Sequence, residues 1–311
     1  MDEESLRELY GHEPVMPGEA MSALNVGEDG FYLDATMGGG GHSRMILKRL
    51  GPRGRLLALD LDPDAVNFAN DFWGKGETRL LARRGNFGEL RALLREEGLG
   101  KPDGILADLG LSHRQLKLEE RGFSFAGDGP LDMRFDPDNG VSAFEVVNET
   151  PEKELADIIF EFGEERRSRK LAREIARARS KAPIRTTREL ANLAWRTLSP
   201  PKGKTRGGAT RGIHPATKLF MALRVKVNDE LGNLRAFLAD SRECLAEGGV
   251  LAVISFHSLE DREVKELFRP KPGHEPALWK PLFEKPLEAS EEEKRRNPRS
   301  RSAKLRAAVR L

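Results

Sequence analysis

The amino-acid sequence predicts an α/β protein, in which a parallel β-sheet has helices on both faces and is interrupted by an inserted helical subdomain. Strand-like apolar runs alternate with helical segments, an order typical of a parallel sheet. Some runs are unbroken, as in Val250-Leu251-Ala252-Val253-Ile254, and strands covered on both faces have this pattern. The fourth run ends at 109 and the fifth begins at 249, an interval much longer than one crossover helix needs. The insertion is predicted there.

The predicted strands follow one another in a regular order. They cover residues 31–35, 55–60, 78–83, 103–109 and 249–256. The chain has 311 residues, more than most single domains, which agrees with a core domain plus an insertion. The inserted helical subdomain is predicted at 141–212, with a role in substrate recognition. Residues 1–140 and 213–311 then form the sheet domain.

Two helices are predicted in and after the insertion. Leu171, Ile175 and Ala178 share one helical face, and basic residues cover the opposite face. The basic face consists of Arg166, Arg167, Arg169, Lys170, Arg173, Arg177 and Arg179. Apolar residues at helical spacing from Leu219 to Leu238 predict one further long helix.

A glycine-rich loop follows the first predicted strand. It reads Asp34-Ala-Thr-Met-Gly-Gly-Gly-Gly-His-Ser43 and leads into a helix-like run. Because glycine lacks a Cβ atom, the backbone of such a loop can approach a nucleoside closely. Asp60 ends the second strand-like run, where a carboxylate can meet the hydroxyls of a ribose. The two features together predict a nucleoside cofactor.

The spacing of the glycines distinguishes between two cofactors. A dinucleotide site needs Gly-x-Gly-x-x-Gly, but here the third position is Ser43 or Arg44. The spacing from Asp34 to Gly38 and Gly40 instead resembles the first motif of S-adenosylmethionine-dependent methyltransferases. An NAD-dependent oxidoreductase is the alternative enzyme. A third alternative is a non-catalytic RNA-binding protein that retains a nucleoside pocket.

Candidate chemical groups follow the third and fourth strands. Asp108 ends the fourth strand, next to the first strand in this fold, so its carboxylate can meet both a cofactor and a methyl acceptor. Phe87 follows the third strand and can cover an adenine ring. The histidines show no metal-ligand spacing, and the single cysteine, Cys244, excludes a disulfide framework and a cysteine-based zinc cluster. We predict that no metal is bound and that Cys244 is buried.

Charge and hydropathy suggest a nucleic-acid substrate and a cytoplasmic location. No apolar run reaches the length of a membrane span, and the acidic N-terminus is not a signal peptide. Besides the helix described above, the segment 199–212 and the tail from Lys294 are rich in basic residues, and the tail has eight of them. Both segments are predicted to be mobile loops. Three basic stretches in a nucleoside-binding protein favour nucleic acid as the substrate.

The chain resembles the MraW family of bacterial ribosomal RNA small-subunit methyltransferases along nearly its whole length. The matching stretches are His12-x-Pro14-Val15, Gly40-Gly41-His42-Ser43, Asp60-x-Asp62-Pro63, Asp103-Gly104-Ile105, Asp108-Leu109-Gly110, Arg121 to Phe125, Gly129 to Arg134, His214 to Lys218, Ser255 to Arg262 and Asn297 to Ser302. The resemblance implies a Rossmann-like class I methyltransferase sheet with an inserted all-helical subdomain. It also implies methylation of the exocyclic N4 of a cytosine in the decoding region of 16S ribosomal RNA, within a small-subunit particle.

The resemblance also assigns residues. S-adenosylmethionine is expected against Gly38, Gly40, Gly41, His42, Asp60, Phe87, Asp108 and Gln115. Asp108 is the expected catalytic residue. Asp132, Arg134, His214 and Lys218 are expected to orient the base and its phosphates. The chain departs from the family pattern at Ser112-His113-Arg114, just before Gln115, and at Met221. A methyltransferase acting on another RNA site or on a protein remains the alternative, and a homo-oligomer is not excluded.

Overall fold

The structure, a computed structural model, describes residues 13–72, 76–199, 214–269 and 278–311. The chain forms two structural units: Met1–Arg114 with Leu231–Leu311, and Gln115–Glu230. The second unit is wider than the predicted insertion, 141–212, on both sides. Except for Ser199, the predicted basic loop lies outside the described residues.

The wider boundary has a physical cause in backbone hydrogen bonds. The segment before 141 is bound to the helical part of the second unit. Leu131 N donates to Arg185 O at 3.2 Å, and Thr187 N donates to Gly129 O at 2.9 Å. Such long-range contacts leave no signal in a local sequence pattern.

The first unit is built on an eight-stranded sheet. Its strands are β1 Phe31–Asp34, β2 Arg55–Asp60, β3 Leu80–Arg84, β4 Gly104–Asp108, β5 Val250–Ser255, β6 Trp279–Pro281, β7 Leu287–Glu288 and β8 Lys304–Arg310. The order is β3-β2-β1-β4-β5-β8-β6, and β7 pairs with β8. Strands β1 to β5 pair in parallel, whereas β8 is antiparallel to both β5 and β6. All five predicted strands are therefore present.

Successive residues of the central strands are buried on opposite faces of the sheet. One core contains Leu33, Leu57, Ile105 and Leu251. The other contains Tyr32, Leu56, Leu106 and Ala252. The helices of this part of the chain are α1 Pro17–Leu24, α2 Gly41–Leu47, α3 Pro63–Phe72, α4 Leu90–Glu96, α11 Glu230–Cys244, α12 Ser258–Phe268 and α13 Glu291–Arg296. Helix α5 His113–Lys117 spans the division of the chain between Arg114 and Gln115. Burial on both faces explains why the strands read as continuous apolar runs.

The second unit is helical. Its helices are α6 Ala143–Glu149, α7 Glu152–Gly163, α8 Ser168–Arg179, α9 Thr187–Leu198 and α10 Ala216–Val227. Helix α9 begins with a capping box, in which Thr186 and Glu189 each accept a backbone N–H of the other. Leu171 and Ile175 are fully buried on α8, as their spacing predicts.

The long helix predicted from Leu219 to Leu238 is wrong, because the structure contains two helices in this segment. Helix α10 ends at Val227 and α11 begins at Glu230. Between them, Asp229 has a φ of 44°, in the left-handed region that interrupts a helix. Asn228 stabilises the break: its Nδ2 donates to Arg224 O at 2.9 Å, and its Oδ1 accepts from Phe135 N at 2.6 Å. An apolar spacing does not reveal these contacts.

The predicted mobile tail is also wrong. From Lys294 the chain completes α13, forms a 3-10 turn at Pro298–Ser302 and enters the sheet as β8. Arg306 of β8 makes a two-pronged ion pair with Asp261, with Nε–Oδ1 at 2.7 Å and Nη2–Oδ2 at 3.1 Å. Basic residues in a strand can pair with a carboxylate elsewhere in the protein. A run of basic residues is therefore not sufficient evidence for a loop. Cys244 is buried, as predicted. Within the described ranges, no helix is long and apolar enough to cross a membrane.

Candidate active site

Three carboxylates end three neighbouring strands of the first unit. Asp34 ends β1, Asp60 ends β2 and Asp108 ends β4. In the sheet β1 lies between β2 and β4, and all three strands run in parallel. Their carboxyl ends therefore lie at one edge, where open α/β sheets bind ligands.

The glycine loop connects β1 to helix α2 in a conformation that glycine permits. Gly38 has a φ of 51° and Gly40 a φ of 73°, both in the left-handed region. A side chain at such positions is strained. A Cβ atom on Gly41 would lie 3.0 Å from the Pro14 ring. These backbone requirements, together with the predicted ligand contact, account for the run of glycines.

Asp34 is a buried residue that stabilises the glycine loop by hydrogen bonds. It is fully buried, and its carboxylate accepts from Ser43 Oγ at 2.5 Å and from Thr36 N at 3.2 Å. Burial raises the pKa of Asp34 above its ordinary value, and the hydrogen bond from Ser43 opposes that shift. Thr36 Oγ1 in turn accepts from Asp108 N at 2.6 Å. The acidic residue of the loop motif is thus a structural support, a role that the sequence did not identify.

Asp60 lies directly under the glycine loop. Its Oδ2 accepts from Gly38 N at 2.7 Å, and its Oδ1 accepts from Asp62 N at 2.9 Å. Burial raises the pKa of Asp60 to about 6, although both N–H donors favour the ionised form. The residue keeps partial solvent exposure. Its carboxylate is therefore fixed in position and still accessible.

The buried His42 pairs with Asp108, whose side chain is 22% exposed. His42 Nε2 lies 3.5 Å from Asp108 Oδ2, and the imidazole side chain is 6% exposed. Burial alone would lower the pKa of His42, but the close, negatively charged carboxylate of Asp108, with smaller effects of Asp34 and Glu293, raises it. Asp108 Oδ1 is buried and has no hydrogen-bond partner among the residues that the structure describes. The same holds for both ring nitrogens of His42, because the contact of Nε2 with Asp108 is an ion-pair contact without hydrogen-bond geometry. A buried acceptor and a buried ring nitrogen without hydrogen-bond partners among the described residues thus lie at this edge of the sheet.

Two arginines near these strand ends received no role from the sequence. Arg299, in the tail, donates through Nη2 to Leu111 O in the loop after β4. Burial lowers the pKa of Arg299, and the charge of Asp108 opposes that shift. Arg114, one of the departures from the family pattern, forms ion pairs with Asp64 at 2.5 Å and with Asp62 at 3.5 Å. The Asn297–Ser302 motif contains Arg299, so the resemblance had marked its segment but not its contact.

Phe87 and Gln115 are the remaining predicted cofactor residues. Phe87 is partly buried, and its ring makes an edge contact with Phe237 at a centroid distance of 5.2 Å. The preceding Asn86 caps the turn by accepting from Gly88 N at 2.8 Å, and it donates to Asn233 Oδ1 at 2.8 Å. Gln115 is buried on α5 and belongs to the second unit. Its predicted contact with the cofactor stays a prediction.

The four predicted substrate residues all belong to the second unit. Asp132 and Arg134 form a bidentate pair, with Nη2–Oδ2 at 2.7 Å and Nε–Oδ1 at 3.1 Å. These hydrogen bonds raise the pKa of Arg134, against the effect of burial. Lys218 Nζ donates to Glu164 O at 2.8 Å and so caps the C-terminal end of α7. Lys218 therefore has a structural contact of its own.

His214 lies in a stack of rings. Its imidazole lies 4.8 Å from the ring of Phe125 and 5.1 Å from that of Trp195, at interplanar angles of 28° and 23°. His214 Nδ1 accepts from Ala216 N at 3.1 Å, at the start of α10. The sequence had singled out His214, but Phe125 and Trp195 were not identified as its neighbours.

The strand order, the antiparallel β8 beside β5, and the glycine loop between two strand-end carboxylates define a class I methyltransferase. The chain belongs to the MraW methylase family, which it matches over residues 9–311. It is an S-adenosylmethionine-dependent methyltransferase, which excludes the NAD-dependent alternative.

Relatives match over nearly the whole chain. The ribosomal RNA small subunit methyltransferase H of Koribacter versatilis is 47% identical over 310 aligned positions, gaps included, and the match covers 97% of this chain and 95% of the relative. The protein of that name from Acidobacterium capsulatum is 46% identical over 304 aligned positions, with 96% of this chain and 97% of the relative covered. That of Thermomicrobium roseum is 46% identical over 314 aligned positions, with 96% of this chain and 94% of the relative covered.

Proposed function

We propose that this enzyme transfers the methyl group of S-adenosylmethionine to the exocyclic N4 of a cytosine in the decoding region of 16S ribosomal RNA. The observation that carries the chemistry is the carboxylate of Asp108, which is partly exposed at a strand end beside the glycine loop and whose Oδ1 has no hydrogen-bond partner among the described residues. The names of the relatives, which are ribosomal RNA small subunit methyltransferases, support the class of substrate. The proposed setting is a small-subunit particle in the cytoplasm.

The residues at the strand ends fit the cofactor. Asp60 offers a fixed carboxylate to the ribose hydroxyls, and Gly38, Gly40 and Gly41 allow close approach of the backbone. Asp108 Oδ1 and His42 Nδ1 are buried polar atoms without a hydrogen-bond partner in the described ranges, as expected where a polar ligand completes the bonding. Phe87 would cover the adenine. When bound, the cofactor supplies a sulfonium methyl group to the acceptor.

Asp108 would act on the acceptor nitrogen. The lone pair of the cytosine amino group is conjugated with the ring, so the nitrogen is a weak nucleophile. A carboxylate that accepts one of its N–H groups favours an out-of-plane geometry and stabilises the positive charge that develops on the nitrogen. His42, 3.5 Å from Oδ2, would hold the carboxylate with Oδ1 free for this contact. Positioning of the reacting groups supplies much of the rate enhancement.

The second unit would recognise the RNA. A base must leave its stack before its amino group can enter an active site, which is easiest in a single-stranded segment. The Arg134 guanidinium is oriented by Asp132 and has further N–H groups for a phosphate. His214, held between two rings, would orient the base, and Lys218 would add positive charge near it.

The test is methyl transfer to a defined RNA. Small ribosomal subunits from cells that lack the protein are incubated with the enzyme and isotope-labelled cofactor, and modified nucleosides are mapped by mass spectrometry. Label on N4 of one cytosine of the decoding region is the expected result. Label at another RNA position or on a ribosomal protein would replace the proposed substrate with the alternative.

A further inference from the structure

An aromatic stack leads to the surface of the second unit. Phe220 meets Phe125 edge-on at 5.0 Å, Phe125 stacks on His214, and His214 stacks on Trp195. Trp195, on α9, is 50% exposed. The imidazole covers one face of the indole, so the stack ends in a large ring that is accessible to solvent. Exposed tryptophans are uncommon because the ring is large and mostly apolar.

Three basic residues lie at the same end of helix α9 as Trp195. Arg167 donates to Leu198 O at 2.5 Å, and Lys170 donates to Thr197 O at 2.8 Å, so both cations lie at the C-terminal end of α9, within one turn of Trp195. Arg196 is the next residue along the helix and is exposed. Each of these three cations retains further N–H groups for a second partner. Of their acidic neighbours, Glu165 pairs with Arg167 at 3.4 Å.

We infer that Trp195, with His214 and Phe125 behind it, is a stacking platform for an unpaired nucleotide of the RNA substrate. The inference rests on the proposed function for the class of substrate and adds a site to it. The exposed indole stacks on the base, while Arg167, Lys170 and Arg196 bind the neighbouring phosphates.

The combination of ring and cations favours single-stranded nucleic acid over other occupants. Every base has a π-face, so stacking on an aromatic ring needs no particular sequence, and cations along the backbone add affinity. A duplex keeps its bases stacked on each other and offers the ring nothing to stack on. An apolar peptide segment would gain from the indole but not from three cations. The stack behind Trp195 fixes the ring in place, which reduces the entropy lost on binding.

The experiment measures the binding of a labelled, single-stranded oligocytidine and of an RNA duplex of equal length, at one fixed salt concentration. Trp195→Ala is expected to raise the Kd for the single strand about 5- to 100-fold and to change duplex binding little. Trp195→Phe keeps a stacking ring and should retain most of the affinity. Phe160→Ala is the matched control, because Phe160 is another large exposed aromatic of the second unit, 56% exposed. It should bind as the wild type does.

A second measurement does not depend on the alanine variant. Stacking of a base quenches indole emission, and comparison of the wild type with Trp195→Phe isolates the signal of Trp195 among the three tryptophans. Saturating oligocytidine should quench the wild type and leave the Trp195→Phe protein nearly unchanged. Equal quenching in both proteins overturns the inference. So does an equal loss of single-strand and duplex binding in Trp195→Ala, or a loss of the same size in Phe160→Ala.

Methylation assays separate this inference from the proposed function. If small subunits are methylated but Trp195→Ala has the wild-type Kd for oligocytidine and the wild-type KM, the platform fails and the function stands. If the wild type does not methylate ribosomal RNA but the Trp195-dependent binding persists, the proposed function fails and the platform stands as an RNA-binding surface. Affinity for S-adenosylmethionine should be unchanged in every variant.

Discussion

The polar groups of the first unit and those of the second are held in different ways. At the sheet edge, Asp34 and Asp60 bind backbone N–H groups of the glycine loop, and Asp108 keeps one oxygen unpartnered among the described residues. In the second unit, Asp132 and Arg134 bind each other, and both side chains are 23% exposed. The first arrangement fixes carboxylates against the backbone of a loop, whereas in the second a carboxylate and a guanidinium fix each other.

This difference suggests a division of roles. Carboxylates that are partly or fully removed from water have strongly environment-dependent ionisation, as the raised pKa of Asp60 illustrates. Groups of that kind suit chemistry and cofactor binding. The second unit offers partly exposed ion pairs and an exposed aromatic ring. Such groups suit the binding of a nucleic acid, because contacts with its phosphates fix its position and do not require a closely fitting, dry pocket. Three substitutions test the division.

The largest effect is expected for Asp108→Asn. The amide removes the negative charge that would accept the N–H of the base, so the methylation rate should fall by about 10²- to 10⁴-fold. The Kd for S-adenosylmethionine, measured by calorimetry, should change much less. Asp29→Asn is the control, because Asp29 is an exposed carboxylate of the same unit, paired only with the exposed Arg53 in the contacts described. Equal losses of rate and affinity in Asp108→Asn would mean that Asp108 only binds the cofactor.

An intermediate effect is expected for Asp60. Asp60→Ala should weaken S-adenosylmethionine binding about ten- to a hundredfold, because a charged acceptor for the ribose hydroxyls is lost and Gly38 N loses its partner. Calorimetry with Asp60→Asn as a second variant measures the loss. An unchanged affinity in Asp60→Ala would remove this residue from the cofactor site.

The raised pKa of Asp60 predicts that the affinity for S-adenosylmethionine depends on pH. Hydroxyl donors favour the ionised carboxylate, and the pKa of Asp60 is raised to about 6. Affinity should therefore be constant above about 6 and fall by up to about tenfold per unit below it. Because the folded-state pKa lies above the ordinary value, Asp60 stabilises the free protein at low pH and this contribution is lost as the pH rises through about 6. Asp60→Asn should abolish both dependences; if the affinity of this variant kept the wild-type pH profile, another group would be responsible.

The smallest effect is expected for Arg134→Ala. Loss of one phosphate contact should raise the KM for the RNA substrate about three- to thirtyfold and reduce its dependence on salt, with little change in kcat or in the Kd for the cofactor. Arg188 offers a matched control in the same unit, because its side chain is 58% exposed and its ion pair with Asp128 is long, at 3.6 Å. A fall in kcat with an unchanged KM would contradict the division of roles between the units.

The sheet could be predicted from the sequence because its strands are buried on both faces. Leu57 and Leu56 enter opposite cores, so no polar residue interrupts the run, and a local pattern suffices. The tail could not be predicted in this way. Strand β8 carries Lys304, Arg306 and Arg310, and its pairing with β5 and β6 joins distant parts of the chain. The basic residues of the tail predict a solvent-exposed segment. In the structure Arg306 forms an ion pair with Asp261, so its charge is compatible with a place in the sheet.

The candidate site likewise has features that the sequence predicts and features that only the structure reveals. The sequence by itself determined the glycine loop and the positions of Asp60 and Asp108 at strand ends, because glycine tolerance of positive φ and the end of an apolar run are local properties. Only the tertiary structure decided that Asp34 is a buried support, that His42 pairs with Asp108, and that Trp195 ends a stack of rings. Burial and side-chain pairing depend on residues far apart in the chain, and no spacing within a single segment specifies them.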